Sequence, residues 1–135
     1  TGDEPMSIAQ LMGKPLWTVI VTTPQDVALL DSRKSVVFAR TLEMNILGIV
    51  ENMSGMSCPH CGGTIDLFKT GGGLRASIEL EAPFLGAIPI DPQIVHGGDS
   101  GTPLTIADPN SNSSRIFAEI AKKITDMITS SKEAA

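Results

Sequence analysis

Cys58 and Cys61 stand three residues apart in "NMSGMSCPHCGGTIDLF" (52–68), and they are the two cysteines of the 135-residue sequence. Thiolates at that spacing in a tight loop can point at one metal centre. Pro59 stiffens the loop, and Gly62 and Gly63 let the backbone turn beneath it. Zinc and an iron–sulfur cluster share this donor type. A redox pair is a further reading, but that motif opens a helix, and here two glycines follow at once. Two unrelated free thiols are the bland alternative. His60, flanked by both cysteines, is expected to be exposed or to sit behind the ligands. A thiolate site usually takes four donors and the chain offers two. A second copy about a two-fold axis would bring its own Cys58 and Cys61, because a C2 interface sets a surface against its own image.

Two other strings invite chemistry. "HGGDSGTPL" (96–104) is similar to the sequence around a chymotrypsin-type serine nucleophile, which would make Ser100 reactive. A triad also needs a placed histidine and aspartate, and His96 lies too close in sequence to be that base. A polar glycine-rich loop is the better reading. "TGGGL" (70–74) could cradle a phosphate at a helix N-terminus. It lacks the Lys-Ser/Thr of a P-loop, so a plain turn is preferred.

The elements that must carry these residues alternate. "TGDEPMSIAQLMGKP" reads as a helix with Asp3 as N-cap and a stop at Gly13 and Pro15. "LWTVIVTT" (16–23) reads as a strand buried on both faces. Thr23-Pro24 with Asp26 opens a helix to about Glu43, its face marked by Val27, Leu30, Val37 and Phe38. "NILGIVEN" (45–52) is a second buried strand, followed by the metal-type loop 53–64. "TGGGLRASIELEA" (70–82) turns into a helix with Leu74 and Ile78 four apart. "PFLGAIPID" (83–91) is a third strand, 92–112 reads as loop, and 109–131 holds the closing amphipathic helix. Its polar face is not strongly basic, so core packing is preferred to a membrane surface. The order predicts a parallel α/β sheet in one domain spanning 1–135. Three strands leave an edge open, which points to a fragment or to completion by association.

Composition agrees with a globular domain: 41% hydrophobic, 19% charged, net charge −5. The acidic balance argues against a general nucleic-acid binder. No apolar run approaches the ~20 residues of a membrane helix. The acidic, polar start "TGDEPMSIAQ" is read as no signal peptide and as the middle of a longer chain. With the lone C-x-x-C this places the protein in a reducing, cytoplasmic setting.

Five stretches, "TGDEPMSIAQL", "VIVTTPQDVALLD", "GIVENMSGMSCPHCGG", "PFLGAIPIDPQI" and "GGDSGTPL", together resemble the C-terminal half of the Mrp (ApbC-type) family. These are MinD-like P-loop ATPases that carry iron–sulfur clusters. The resemblance covers nearly all of residues 1–128 and implies an α/β, parallel-sheet P-loop NTPase fold of the MinD (SIMIBI) type, C-terminal half only. It implies that Cys58 and Cys61 ligate a [4Fe–4S] cluster bridging a homodimer, with zinc as a substitute metal, and that the cluster goes to apo iron–sulfur proteins. Neither nucleic acid nor a membrane is an expected partner. Thr1, Gly2 and Asp3 match the tail of the switch segment (1–15 with its helix). Asn52 matches the adenine-reading asparagine, and Pro89, Ile90 and Asp91 the loop bordering the base. The family's Walker A and Walker B motifs would precede Thr1. ATP and Mg²⁺ therefore belong to the intact protein, and no independent ATPase activity or catalytic residue is expected here. Thr70 stands where the family pattern "FG-x-GGG" suggests glycine. A zinc-knuckle dimerisation module is the alternative function, and a serine hydrolase the remote one.

Overall fold

The computed structural model describes residues 3–58 and 60–133. Their order is α1 (Asp3–Met12), β1 (Trp17–Thr22), α2 (Asp26–Thr41), β2 (Asn45–Glu51), β3 (Met56–Ser57), β4 (Thr64–Ile65), α3 (Gly72–Glu79), β5 (Phe84–Ala87), α4 (Pro92–Ser100), α5 (Leu104–Ala107) and α6 (Asn112–Glu133). Thr1 and Gly2 of the expected switch segment lie outside the described residues, and Asp3 is the first helical residue of α1 instead of its cap.

The main sheet runs β1-β2-β5, all parallel, with Thr22 beside Glu51 and Glu51 beside Ala87 at the carboxyl ends. Strand alternation divides the core in two. Ile20 and Ile49 face Leu29 and Val36 of α2 and Ala76 of α3. Val50 and Leu85 face Ile120 of α6, with Ile116, Phe117 and Ile124 packed around it. Helices therefore cover both faces of the sheet, the arrangement that makes parallel strands apolar throughout. β2 fits that description and β1 does not. β1 pairs on one side with β2, and Val21 is 61% exposed.

Several local expectations are corrected. α2 starts at Asp26, with Gln25 in the N-cap position, while the Thr23 hydroxyl donates to the Gln25 side chain. Its buried face is Leu29, Ser32, Val36 and Ala39, whereas Val27, Leu30 and Val37 are exposed. Leu74 and Ile78 of α3 are also exposed; the helix buries Gly72, Gly73, Ala76 and Ser77. Residues 92–112 hold two helices. Asp91 caps α4 by accepting from Gln93 N–H at 2.9 Å, Pro92 takes the first position, and Gly101 at φ 70 ends it. α6 spans Asn112–Glu133, a shift of two to three residues from the expected 109–131.

Candidate functional site

The chain leaves β2 at Glu51, makes an excursion, and returns at α3. Within it β3 and β4 pair antiparallel, Met56 beside Ile65 and Ser57 beside Thr64. The C-x-x-C motif forms the tip of this hairpin. Cys58 N–H donates to Gly63 O at 2.8 Å and Gly62 N–H to Cys58 O at 2.9 Å. Gly62 sits at φ 71, a left-handed turn that glycine enters without steric cost. The hairpin was not legible in the sequence, because two-residue strands carry no measurable alternation.

Cys58 is half-buried, Cys61 exposed, and both thiols are free. The His60 N–H, the Cys61 N–H and the Cys61 thiol, in decreasing weight, favour the charged form of the Cys58 sulfur. They hold its thiol below the usual cysteine range against a smaller opposing effect of burial. Two free thiols three residues apart at one hairpin tip are a donor set fit for a soft metal centre. His60 is exposed, as expected. Among the described residues no group of three or more His, Cys, Asp or Glu converges on a metal position.

The base of the hairpin is fastened to the exit of β5. Ser54 N–H donates to Ile88 O at 2.9 Å and Ile90 N–H to Gly55 O at 2.8 Å, and Met56 bridges Ile90. That junction forms one wall of a cavity of about 300 Å³. Asn52, Pro89, Ile90 and Asp91, read separately from the sequence, all line it. Met53, Leu67, Phe68, Ile94 and Val95 complete an apolar lining that sequence reasoning missed; Ile94 was hidden in a stretch taken for loop. The volume lies at the small end of the ~300–1,000 Å³ typical of ligand sites. Asn52 Oδ1 accepts from Met53 N–H at 2.9 Å, which leaves its amino group as the half able to donate to a ligand. The Asp91 carboxylate is engaged elsewhere, on Gln93 N–H and on the Ser113 hydroxyl at 2.6 Å, so its contribution to the wall is steric.

The glycine run "TGGGL" is not an open phosphate cradle. Glu51, 0% exposed, occupies it: Oε1 accepts from Gly71 N–H at 2.9 Å and Oε2 from Gly73 N–H at 2.5 Å. The left-handed non-glycine residue of this turn is Lys69 at φ 69, not Thr70. Ser100, exposed near the end of α4, donates to Gly97 O at 3.3 Å and has no histidine partner among the described residues. That arrangement gives a hydrolase nothing to activate the hydroxyl.

A parallel sheet clad on both faces, with a ligand-sized cavity beyond its carboxyl edge, defines the doubly wound α/β class of protein, in which ligands bind at that edge. Solved structures agree. The chain superposes on a nucleotide-binding protein from Archaeoglobus fulgidus, in complex with ADP and with cobalt, at TM-score 0.67 and 31% identity, covering 83% of this chain and 44% of that one. It matches the cell division ATPase MinD of Pyrococcus furiosus at TM-score 0.66 and 26% identity, covering 82% and 43%. The fold is that of the MinD-like P-loop ATPases. More particularly, residues 1–125 match the ParA model described as NUBPL iron-transfer P-loop NTPase, and the chain belongs to that family. It is 41% identical to the iron-sulfur cluster carrier protein of Methanocaldococcus jannaschii, over 98% of this chain and 45% of that protein. It is 42% identical to the cytosolic Fe-S cluster assembly factor CFD1 of Saccharomyces cerevisiae, over 92% and 44%. The chain spans less than half the length of either relative. Among the described residues no helix is long and apolar enough to cross a membrane.

Proposed function

We propose that the chain is the cluster-bearing half of an iron–sulfur cluster carrier. Cys58 and Cys61 supply two thiolates to a [4Fe–4S] cluster, and the same pair from a second copy supplies the other two. The observation that carries this reading is the pair of free thiols, three residues apart at a hairpin tip, without a third donor converging on them among the described residues. Such a pair cannot saturate a four-thiolate centre alone, and an exposed tip can meet its own image. The cluster is cargo. In transfer, thiolates of an apo iron–sulfur protein replace those of Cys58 and Cys61 on iron, and the released thiolates take up protons. The lowered proton affinity of Cys58 favours its ligating form.

The cavity beside the hairpin would take the adenine of ATP. Asn52 would donate to the base edge, and Pro89, Ile90, Met53 and Phe68 would enclose its faces. Thr1, Gly2 and Asp3 would belong to the segment that senses the phosphates. These residues make up the base side of a nucleotide site and carry no hydrolysis of their own; ATP with Mg²⁺ is bound by the intact protein. Its setting would be the cytosol, as for the yeast relative.

Anaerobic reconstitution of the intact protein with iron and sulfide tests the reading. Expected are four irons per dimer, a brown chromophore, and loss of both in Cys58→Ala plus Cys61→Ala with the dimer weakened. A colourless product with intact thiols, or a chromophore indifferent to the double substitution, overturns it. Stoichiometric zinc that anaerobic iron and sulfide cannot displace would favour a structural knuckle instead.

A further inference from the structure

Glu51 neither ligates the cluster nor encloses the base, yet its carboxylate is fully buried. A buried carboxylate is costly unless its oxygens are satisfied. Here they are satisfied at both ends of one excursion. On the departing side the Ser54 hydroxyl donates to Oε1. On the returning side Gly71 and Gly73 donate their backbone N–H groups, and the field of the α3 N-terminus favours the negative charge. One side chain therefore closes the span that presents Cys58 and Cys61, and it immediately precedes Asn52. Two of the glycines have no room for a side chain, Gly73 because of this contact. A Cβ on Gly73 would fall 2.8 Å from the Glu51 Cβ, and one on Gly72 would fall 2.5 Å from Pro24 O.

We propose that Glu51 is a positioning residue, an internal latch that holds the 52–70 excursion shut and so fixes the thiol-bearing hairpin against the β5 exit and the adjacent cavity. Its consequence for the cluster rests on the carrier function proposed for Cys58 and Cys61; the latch itself does not. The excursion's other tethers are the backbone bonds that join Asn52 to Thr22, Ser54 to Ile88 and Gly55 to Ile90, and the Lys69–Asp26 ion pair at its end. Releasing the latch frees the returning strand and the loop tip together and leaves the three-stranded sheet in place.

Hydrogen exchange on the intact protein tests this with Glu51→Gln, whose amide NH₂ meets a backbone donor wherever it turns. The loss of buried hydrogen bonds predicts amides of residues 54–73 exchanging about tenfold or more faster, with β1, β2 and β5 unchanged. Ser54→Ala, which keeps the carboxylate and its two backbone donors, gives the same pattern at smaller size and serves if Glu51→Gln does not fold. In protein reconstituted with iron and sulfide, Glu51→Gln should lose iron to a chelator about tenfold faster. Acceleration spread evenly over all strands, or an unchanged 54–73 profile in the variants that fold, overturns the latch. If the wild type takes up no cluster, the carrier reading fails and the exchange profile alone decides the latch.

Discussion

Gly73 and Glu51 share a space with no room for a methyl group, and this contact sets the geometry of the returning loop. Gly73→Ala forces its Cβ to 2.8 Å from the Glu51 Cβ, two backbone-anchored atoms that cannot both yield. The expected cost is about 1–3 kcal/mol, the range for overpacking. Gly98→Ala on α4 meets nothing within 4 Å. There the loss of unfolded-state freedom should stabilise by about 0.4–1 kcal/mol. Urea midpoints moving in opposite directions for the two variants support the close contact; similar shifts would remove it. The same pair of residues marks a limit of sequence reading. "TGGGL" carried the pattern of an anion cradle, and it does hold an anion. The anion is a carboxylate twenty residues upstream, and only the parallel pairing of β2 with β5 brings the two together. Cys58, Cys61, Asn52, Pro89 and Ile90 were singled out as candidates because each lies in a local string that resembles a family motif. Phe68, Ile94 and Glu51 were not, because their roles exist only after folding.

α2 separates hydrophobicity from burial at the level of an element. Its apolar stripe in sequence, Val27, Leu30 and Val37, faces outward, while Leu29, Val36 and Ala39 with Ser32 face the sheet. Ser32 hides the buried face from pattern reading; inside, its hydroxyl is satisfied by donating to Ala28 O at 3.0 Å. The adjacent valines make a clean comparison. Val36→Ala, at 0% exposure, should cost about 2 kcal/mol. Val37→Ala, at 60% exposure, should stay within about 0.5 kcal/mol in the isolated chain. Equal unfolding free energies would mean that α2 is rotated about its axis, with Val36 turned away from the sheet. α4 shows the converse failure. Its glycines made 92–112 look like loop, but Asp91-Pro92 is a helix-start signal, and the Asp91 cap is tied to Ser113 at the head of α6. The three strands and the long helices were legible because apolar periodicity over many residues reports the element directly.

Across the whole molecule, the described residues form a three-stranded sheet whose outer strands, β1 and β5, each pair on one side alone. The outer side of β1 is unpaired among them, Val21 is exposed, and α1 leaves Leu11 and Met12 at 86% and 71% exposure. Such a surface accords with a chain spanning less than half the length of its relatives. The face covered by α2 and α3 is held differently. Asp26 at the start of α2 meets Lys69 at 3.0 Å and Arg75 at 3.5 Å, and Arg33 meets Glu79 at 2.7 Å, so charges join α2 to the loop end and to α3. The hydrogen bond from Lys69, then its charge, holds the Asp26 carboxyl below its ordinary range; that from Arg33 does the same for Glu79. Because both folded-state values are depressed, the contribution is fully present above the unfolded values of ~3.9 and ~4.3 and is lost as pH falls through the lower folded ones. These pairs are exposed, so the effect is modest and screened by salt. Thermal melts between about pH 5 and about pH 3 should therefore show a steeper fall in Tm for the wild type than for Asp26→Asn. At pH 7, about 1 M salt should narrow the gap between the two. Parallel Tm curves across that acid range, or a gap indifferent to salt, would remove the ion pairs from any role in docking α2 against the loop that carries the cysteines.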